Sequence, residues 1–296
     1  MARSATQMIL FETKALDHII NVAAVPQRSP FRYPGGKTWL VPRIRQWLKK
    51  RPMQFIEPFA GGGIISLTVA AEDLADHVTM VERDEQVAAV WQVIVERESD
   101  AAWLAEAIVK FDLTEKSLAE VLAGDPRSLK EKAFQTILKN RTFHGGILAA
   151  GSAPLKHGEN GRGIRSRWYA DTLKRRILEI TTFRDKITFV HADGIEVMRK
   201  NSRKRNAAFF IDPPYTAGGK RAGRRLYTYS EIDHEELFRI TSKVAGDFLM
   251  TYDDVEDVRE LAKKYDFDTE LVAMKNTHHA SMKELLIGRD LDWARI

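Results

Sequence analysis

The 296-residue chain carries 46 Lys plus Arg against 41 Asp plus Glu, a net charge of +5, and its 44% hydrophobic content suffices for one substantial core with a smaller unit beside it. The absence of cysteine excludes disulfides, cysteine-ligated zinc and any mechanism built on a thiolate. No run reaches the roughly 18 apolar residues of a membrane helix and no signal-peptide pattern opens the chain, so a soluble cytoplasmic protein without membrane association is expected.

Residues 1–28 hold a weakly amphipathic stretch, MILFETKALDHIINVA, followed by Pro26 and Pro30, and read as an appendage to the core. The segment F-R-Y-P-G-G-K-T then places a glycine turn, Gly35-Gly36, between an aromatic, Tyr33, and a cation, Lys37. Lys37 suits a zwitterionic amino acid or a phosphate, and a tight turn with a surface lysine would look the same. From Gln54, QFIEPFAGGG reads as a short strand running into a second glycine turn, and IISLTVAAEDLA has helical spacing. HVTMVERD is a second strand with an acidic end, and EQVAAVWQVIVERE a second helix. Strand, glycine turn, helix and acid-tipped strand open a doubly wound α/β fold.

Three consecutive glycines after an apolar strand allow the backbone to come close to a ligand lying across the strand ends. The G-x-G-x-x-G pattern is not met and no G-K-[ST] follows this turn, which disfavours a nicotinamide or nucleoside-triphosphate site. Glu82 lies nineteen positions beyond Gly63, near the offset at which a carboxylate grips ribose hydroxyls, with Asp84 as the competing choice.

Residues 100–185 break the alternation, with helical patterns around 101–123 and 128–140 and a polar, glycine-bearing loop from His144 to Ser166. Strands resume at KITFVHAD and AAFFIDPP. A polar loop to about Leu226, a helix near 233–245, a strand at DFLMTYDD and a final helix with strands complete the chain. Residues 139–205 hold sixteen Lys or Arg against six Asp or Glu, a local +10 that leaves about −5 elsewhere and points to a face that meets a polyanion. The eight histidines include no H-x-x-x-H spacing, so no metal site is expected.

AAFFI places Asp212 at the carboxyl edge of a buried strand, where doubly wound sheets bind their ligands. Pro213 and Pro214 stiffen the chain beyond this acid and leave the Pro213 carbonyl to accept a hydrogen bond. An amino group could donate one hydrogen to Asp212 and another to that carbonyl, directing its lone pair at an electrophile. Tyr215 would stack on the planar base carrying that amino group, after the base has left its duplex.

With both ends in view, the sequence over roughly residues 30–290 resembles the Dam-like DNA adenine-N6 methyltransferases, whose motifs run in the order cofactor, target-recognition insertion, catalysis. The resemblance rests on the aromatic-x-G-G-K element at Tyr33, Gly35, Gly36 and Lys37, on E-P-F-x-G-G-G from Glu57 to Gly63, and on D-P-P-Y from Asp212 to Tyr215. It implies a Rossmann-like, doubly wound methyltransferase sheet formed by residues 29–99 and 186–296, with an inserted, mainly helical target-recognition domain at 100–185. It further implies an S-adenosylmethionine site at Tyr33, Gly35, Gly36, Lys37, Glu57, Pro58, Phe59, Gly61, Gly63 and Asp212, with Glu82 on the ribose and Asp193 near the cofactor adenine. Asp212, Pro213, Pro214 and Tyr215 would form the catalytic loop.

Weaker matches are N-R-T-F-H-G-G, similar to the family's N-R-x-x-x-N-G with His144 and Gly145 in place of Phe-Asn, and L-Y-T-Y-S-E-I-D-H-E-E-L after the catalytic loop. Double-stranded DNA is the expected partner of a monomer or weak dimer. Contacts are expected from Arg141, Arg162, Arg165, Arg167, Lys174, Arg175 and Arg176, and from Lys220, Arg221, Arg224 and Arg225. Adenine-N6 methylation of RNA and cytosine-N4 methylation of DNA are the neighbouring chemistries, while methylation at cytosine carbon 5 needs the absent cysteine.

Overall fold

In the computed structural model, residues 24–33, 35–215, 228–229, 231–275 and 281–295 are described. The apolar runs of the sequence become strands β1 (Gln54–Glu57), β2 (His77–Glu82), β3 (Ile187–His191), β4 (Ala207–Ile211) and β5 (Asp247–Asp253), all parallel to one another where they pair. The last two strands, β6 (Asp268–Lys275) and β7 (Ser281–Gly288), form an antiparallel pair, and β7 inserts antiparallel beside β5. The order across the sheet is β3-β2-β1-β4-β5-β7-β6. The chain winds outward from β1 in one direction and from β4 in the other, so the strand order reverses between β1 and β4, the point at which such sheets open a ligand crevice.

Alternation along each strand divides the core in two. Phe55, Val78, Met80, Phe210 and Leu249 face one side of the sheet, while Ile56, Val81, Phe209, Ile211 and Met250 face the other. The first side is covered by α1 (Val41–Trp47), α2 (Ile64–Ala71) and α3 (Glu85–Trp91), the last continuing into a π turn over Gln92–Glu96. Three further helices add to this layer: α4 (Glu98–Lys110), α6 (Leu129–Thr142) and α7 (Ala170–Thr181), through Leu104 and Ile108, Ile137, and Leu173 and Ile177. The opposite face is covered by α8 (Gly194–Asn201), α9 (His234–Thr241) and α10 (Glu256–Lys264).

The helical pattern expected over 101–123 is two elements, because the chain breaks at Phe111–Leu113 and restarts in α5 (Glu115–Ala123). Thr114 caps α5 and exchanges hydrogen bonds with Ser117, satisfying two backbone donors that would otherwise be open. Leu113, Leu118, Leu138 and Ile164 form a small apolar cluster of their own. Residues 100–185 are thus mainly helical, and α4, α6 and α7 share their apolar faces with the main core. Of the expected appendage, only 24–28 fall within the described residues, and Val25 is buried in that core. No helix among the described residues is long and apolar enough to cross a membrane.

Candidate active site

β4 is buried at all five positions and delivers Asp212 to the carboxyl edge of the sheet, beside the end of β1. Three donors converge on its carboxylate. Oδ1 accepts from the Thr251 hydroxyl at 2.7 Å and the Tyr215 hydroxyl at 2.8 Å, and Oδ2 lies 3.0 Å from the Lys37 ammonium. Lys37 is only 3% exposed and also donates to the Gly35 carbonyl at 2.9 Å. The glycine turn that looked like a ligand grip therefore also aims a buried cation at the D-P-P-Y carboxylate.

Glu284, on β7, completes the arrangement: Oε1 lies 3.6 Å from Lys37 Nζ, and Oε2 accepts from the Tyr215 hydroxyl at 3.4 Å. It is buried, and burial pushes its carboxyl up to about 7, with Lys37 opposing the rise and Asp212 adding to it. Glu57, at the end of β1, accepts from the Ser66 backbone N–H at 3.0 Å and from the Ser66 hydroxyl. Burial raises its carboxyl to about 8 against those two bonds. The Tyr215 ring stacks on Tyr252, with centroids 5.7 Å apart and planes 22° from parallel, and the Lys37 ammonium lies 5.0 Å from its centroid. Burial, then Asp212, then Glu284 hold the Tyr215 hydroxyl well above its ordinary range, so it stays a proton donor. Tyr252 is buried and its hydroxyl meets His234 Nδ1 at 3.0 Å.

The second glycine turn is held from several sides. Gly61 and Gly63 have φ of +48° and +65°, a backbone that L side chains rarely adopt. A Cβ on Gly61 would lie 2.6 Å from the Tyr33 ring, and one on Gly63 2.6 Å from Met80 Cε. Trp91 Nε1 donates to the Gly61 carbonyl at 2.9 Å, and the Ser29 hydroxyl to the Gly62 carbonyl. Glu82 Oε2 accepts from Gly61 N at 3.0 Å, while Oε1 accepts from Arg83 N and Asp84 N, both at 2.7 Å. Burial lifts the Glu82 carboxyl to about 7. The two acids that competed at this strand end have different surroundings. Asp84 caps α3, accepting from Gln86 N and Val87 N at 2.8 and 3.3 Å, whereas Glu82 faces the turn. Asp193 caps α8 through Ile195 N at 2.8 Å and pairs with Arg83 at 3.0 Å. Gly194 packs so tightly on Pro58 that a Cβ would come 2.2 Å from the Pro58 carbonyl oxygen, which sets the start of α8 against the chain leaving β1.

Asn140, within the N-R-T segment near the end of α6, ties that helix to the chain just before Tyr33. Its Oδ1 accepts from Arg32 N at 2.8 Å, and its Nδ2 donates to the Arg32 and Gly146 carbonyls at 2.9 and 2.7 Å. The basic residues singled out from sequence have divergent surroundings. Arg141 is buried, its Nε donates to the Arg167 carbonyl at 3.0 Å, and burial followed by Arg176 and Arg32 lowers it to about 10. Arg176 donates to the Ser29 carbonyl at 2.9 Å, Arg165 to the Leu113 carbonyl at 2.8 Å, and Lys174 pairs with Glu106. Arg162, Arg165 and Arg175 are exposed, Arg165 also pairing with Asp112 at 3.7 Å, and Arg167 is partly exposed. Lys220, Arg221, Arg224 and Arg225 lie outside the described residues.

Sequence reasoning did not single out Glu284, Thr251, Tyr252 or Asn140. A lone acid directly before the apolar run Leu285-Leu286-Ile287 was the available signal for Glu284, and Asn140 opens the N-R-T-F-H-G-G segment. Thr251 and Tyr252 carried no signal, since a Thr-Tyr pair in an apolar strand is ordinary. No group of three or more His, Cys, Asp or Glu among the described residues is placed to hold a metal ion.

A family model described as D12 class N6 adenine-specific DNA methyltransferase matches residues 33–278. No curated protein sequence matches the chain. Among solved structures, it is similar to a protein described as an RNA methyltransferase from Pyrococcus horikoshii, at 11% identity and a TM-score of 0.38, covering 94% of this chain and 91% of that one. Precorrin-6y C5,15-methyltransferase from Geobacter metallireducens GS-15 is 9% identical with a TM-score of 0.37, covering 86% and 93%. Spermidine synthase from Thermotoga maritima is 10% identical with a TM-score of 0.36, covering 86% of this chain and 59% of its own.

Proposed function

Because the chain belongs to the D12 class N6 adenine-specific DNA methyltransferases, and is by that membership an adenine-specific DNA methyltransferase, we propose that it methylates a flipped-out adenine by direct in-line attack of the N6 amino group on S-adenosylmethionine. The observation that carries this reading is the Asp212 carboxylate at the sheet's switch point, held by Lys37, Thr251 and Tyr215.

Asp212 and the Pro213 carbonyl accept the two amino hydrogens, which orients the nitrogen lone pair without any covalent enzyme intermediate. Positioning and exclusion of water supply the acceleration. Tyr215 presents an aromatic face to the base, a contact worth about 1–3 kcal/mol per stacked base. The methyl donor supplies an electrophilic sulfonium methyl. The residues fit it: a backbone turn at Gly61–Gly63 that no side chain could line without clash, a half-buried Glu82 carboxylate facing that turn for ribose hydroxyls, and Tyr33 and Lys37 at the amino-acid end. Asp193 serves the adenine end of the same site.

The unit 100–185 reads the target in duplex DNA. Arg162, Arg167 and Arg175 serve backbone phosphates together with Lys220, Arg221, Arg224 and Arg225, while Arg141, Arg165, Lys174 and Arg176 hold the unit together through their contacts with protein carbonyls and Glu106. The test is transfer of tritiated methyl from S-adenosylmethionine to duplex DNA and to RNA by the wild type and by Asp212→Ala. Label in DNA N6-methyladenine, lost in the variant with its fold intact, is the expected result. Normal turnover in the variant, or label in RNA alone, overturns the reading.

A further inference from the structure

Methylation of an amino group leaves a proton to be placed. The nitrogen lone pair forms one N–C bond, the electron pair of the broken S–C bond stays on sulfur, and the nitrogen, now positively charged, must lose one hydrogen as a proton. The nearest base in the proposed geometry is Asp212. Both of its carboxylate oxygens are already engaged, Oδ1 by two hydroxyls and Oδ2 by an ammonium, so a proton arriving from the amino group displaces one of these donors unless it is passed on.

The structure supplies a second carboxylate behind the first. Glu284 shares both of its neighbours with Asp212: the Tyr215 hydroxyl reaches one at 2.8 Å and the other at 3.4 Å, and the Lys37 ammonium lies 3.0 Å from one and 3.6 Å from the other. Asp212, Tyr215, Glu284 and Lys37 thus close a ring in which each carboxylate is bridged to the other twice. The strand register gives Glu284 this place, since β7 runs antiparallel to β5 and sets Glu284 opposite Asp253, near Thr251.

We propose that Glu284 is a positioning residue that receives, through the Tyr215 hydroxyl, the proton released when the target amino nitrogen is methylated, with the Lys37 ammonium holding both carboxylates in place. The balance is closed within the ring. The amino N–H proton passes to Asp212, the Tyr215 hydroxyl oxygen takes that proton and gives its own hydrogen to Glu284, and Tyr215 ends as it began while Lys37 stays an ammonium throughout. Asp212 is again ionised and Glu284 carries the proton, which it later gives to solvent. Burial raises the Glu284 carboxyl to about 7, which suits it to hold a proton near neutral pH. The groups facing it are Lys37 from the N-terminal segment, Asp212 and Tyr215 from the end of β4, and Asp253 from β5, with Glu57 coupled to Asp212 and Lys37 from β1.

This inference rests on the reading of Asp212 as the holder of the amino group, and two measurements separate their fates. In single-turnover transfer, the wild-type rate is expected to fall about tenfold per pH unit below an apparent midpoint near 7. Glu284→Gln, which keeps shape and acceptor, is expected to be about 100-fold slower at pH 8 and nearly flat from pH 6 to 8. Glu284→Asp should restore the slope. A Glu284→Gln enzyme that is slow but keeps the wild-type slope overturns the proton role while leaving Asp212 in place, whereas full activity of Asp212→Ala removes the premise itself. A readout that needs no turnover is carbon-13 NMR of glutamate-labelled protein without substrate. Carboxyls titrating near pH 7 are expected from Glu82 and Glu284. One of them should be missing from Glu284→Gln, and a variant that loses no such resonance also overturns the proposal.

Discussion

The Lys37 ammonium stands 3.0 Å from Oδ2 of Asp212, joining the first glycine turn to the end of β4 in a buried ion pair. The pair matters to both stability and chemistry because Lys37 also neutralises Glu284 from 3.6 Å. Removing one partner of a buried pair strands the remaining charge at a cost of about 3–5 kcal/mol. Lys37→Met leaves two carboxylates without their shared cation. It is expected to lower the urea unfolding free energy by an amount near the bottom of that range, since Asp212 keeps some solvent contact, and to reduce methyl transfer at least 100-fold. An unchanged unfolding midpoint would show that the pair contributes nothing to the fold.

Glu57 makes stability depend on pH with a definite sign. Its carboxyl is raised from 4.5 to about 8 by burial, so between those values the folded chain keeps a proton that the unfolded chain releases. Its contribution is fully present below about pH 4.5 and is lost as pH rises through about 8. Glu57→Gln removes that linkage while leaving an oxygen to accept from Ser66 N. Unfolding free energies at pH 5 and pH 8 should therefore converge in the variant relative to the wild type. A wild-type-sized difference retained in Glu57→Gln would assign the pH dependence to other groups.

The glycine turn should tolerate no side chain. At Gly63 the backbone is left-handed and a Cβ would meet Met80 Cε at 2.6 Å and the Trp91 ring at 2.9 Å. Gly63→Ala is expected to cost about 1–3 kcal/mol through backbone strain and overpacking. At Gly61 the backbone is left-handed too, but the contacting atoms belong to the edge of the Tyr33 ring, a side chain that can move. Gly61→Ala should therefore lower the melting temperature less than Gly63→Ala does while weakening S-adenosylmethionine binding in calorimetry, and unchanged binding in Gly61→Ala would count against Tyr33 as part of that site.

These contrasts show what was legible from sequence and why. The α/β frame was readable because its strands are continuous apolar runs ended by glycine or acid, and both ends of the site were visible in Glu57–Gly63 and Asp212–Tyr215. Glu284 and Thr251 were not readable, because their roles depend on long-range pairings, β7 antiparallel to β5 for Glu284 and β5 parallel to β4 for Thr251, that no local pattern encodes. Charge counting found the basic stretch but could not separate Arg141, buried against the Arg167 carbonyl, from Arg175, exposed on α7. A formal charge says nothing about where a guanidinium is anchored.

If Arg162 and Arg175 contact phosphates, each substitution by alanine should reduce the magnitude of the log–log salt slope of duplex-DNA affinity by about 1. Arg165→Ala removes a hydrogen bond to Leu113 and is expected to leave that slope unchanged while costing about 1 kcal/mol of stability. Slopes altered by Arg165→Ala and untouched by Arg162→Ala would reverse the assignment.

Tyr252 stands behind the base-stacking face. Its ring lies 5.7 Å from that of Tyr215 at 22°, and it is itself fixed by His234 Nδ1 at 3.0 Å and by Phe238. A stacked aromatic pair contributes about 0.5–1.5 kcal/mol beyond area burial, and here that contribution holds Tyr215 in one orientation before any base arrives. Tyr252→Leu gives up the stack, so a flipped adenine would have to order Tyr215 at its own expense. The expected result is a rise of about 2–10-fold in KM for DNA with a smaller change in kcat. Tyr252→Phe keeps the ring and loses only the His234 contact, so its KM should stay near the wild-type value. With 2-aminopurine at the target position, Tyr252→Leu should leave more of the base's fluorescence unquenched than Tyr252→Phe does, because quenching reports how long the base remains against Tyr215. Equal quenching in the two variants would mean that Tyr215 is oriented by its hydroxyl bonds to Asp212 and Glu284 alone.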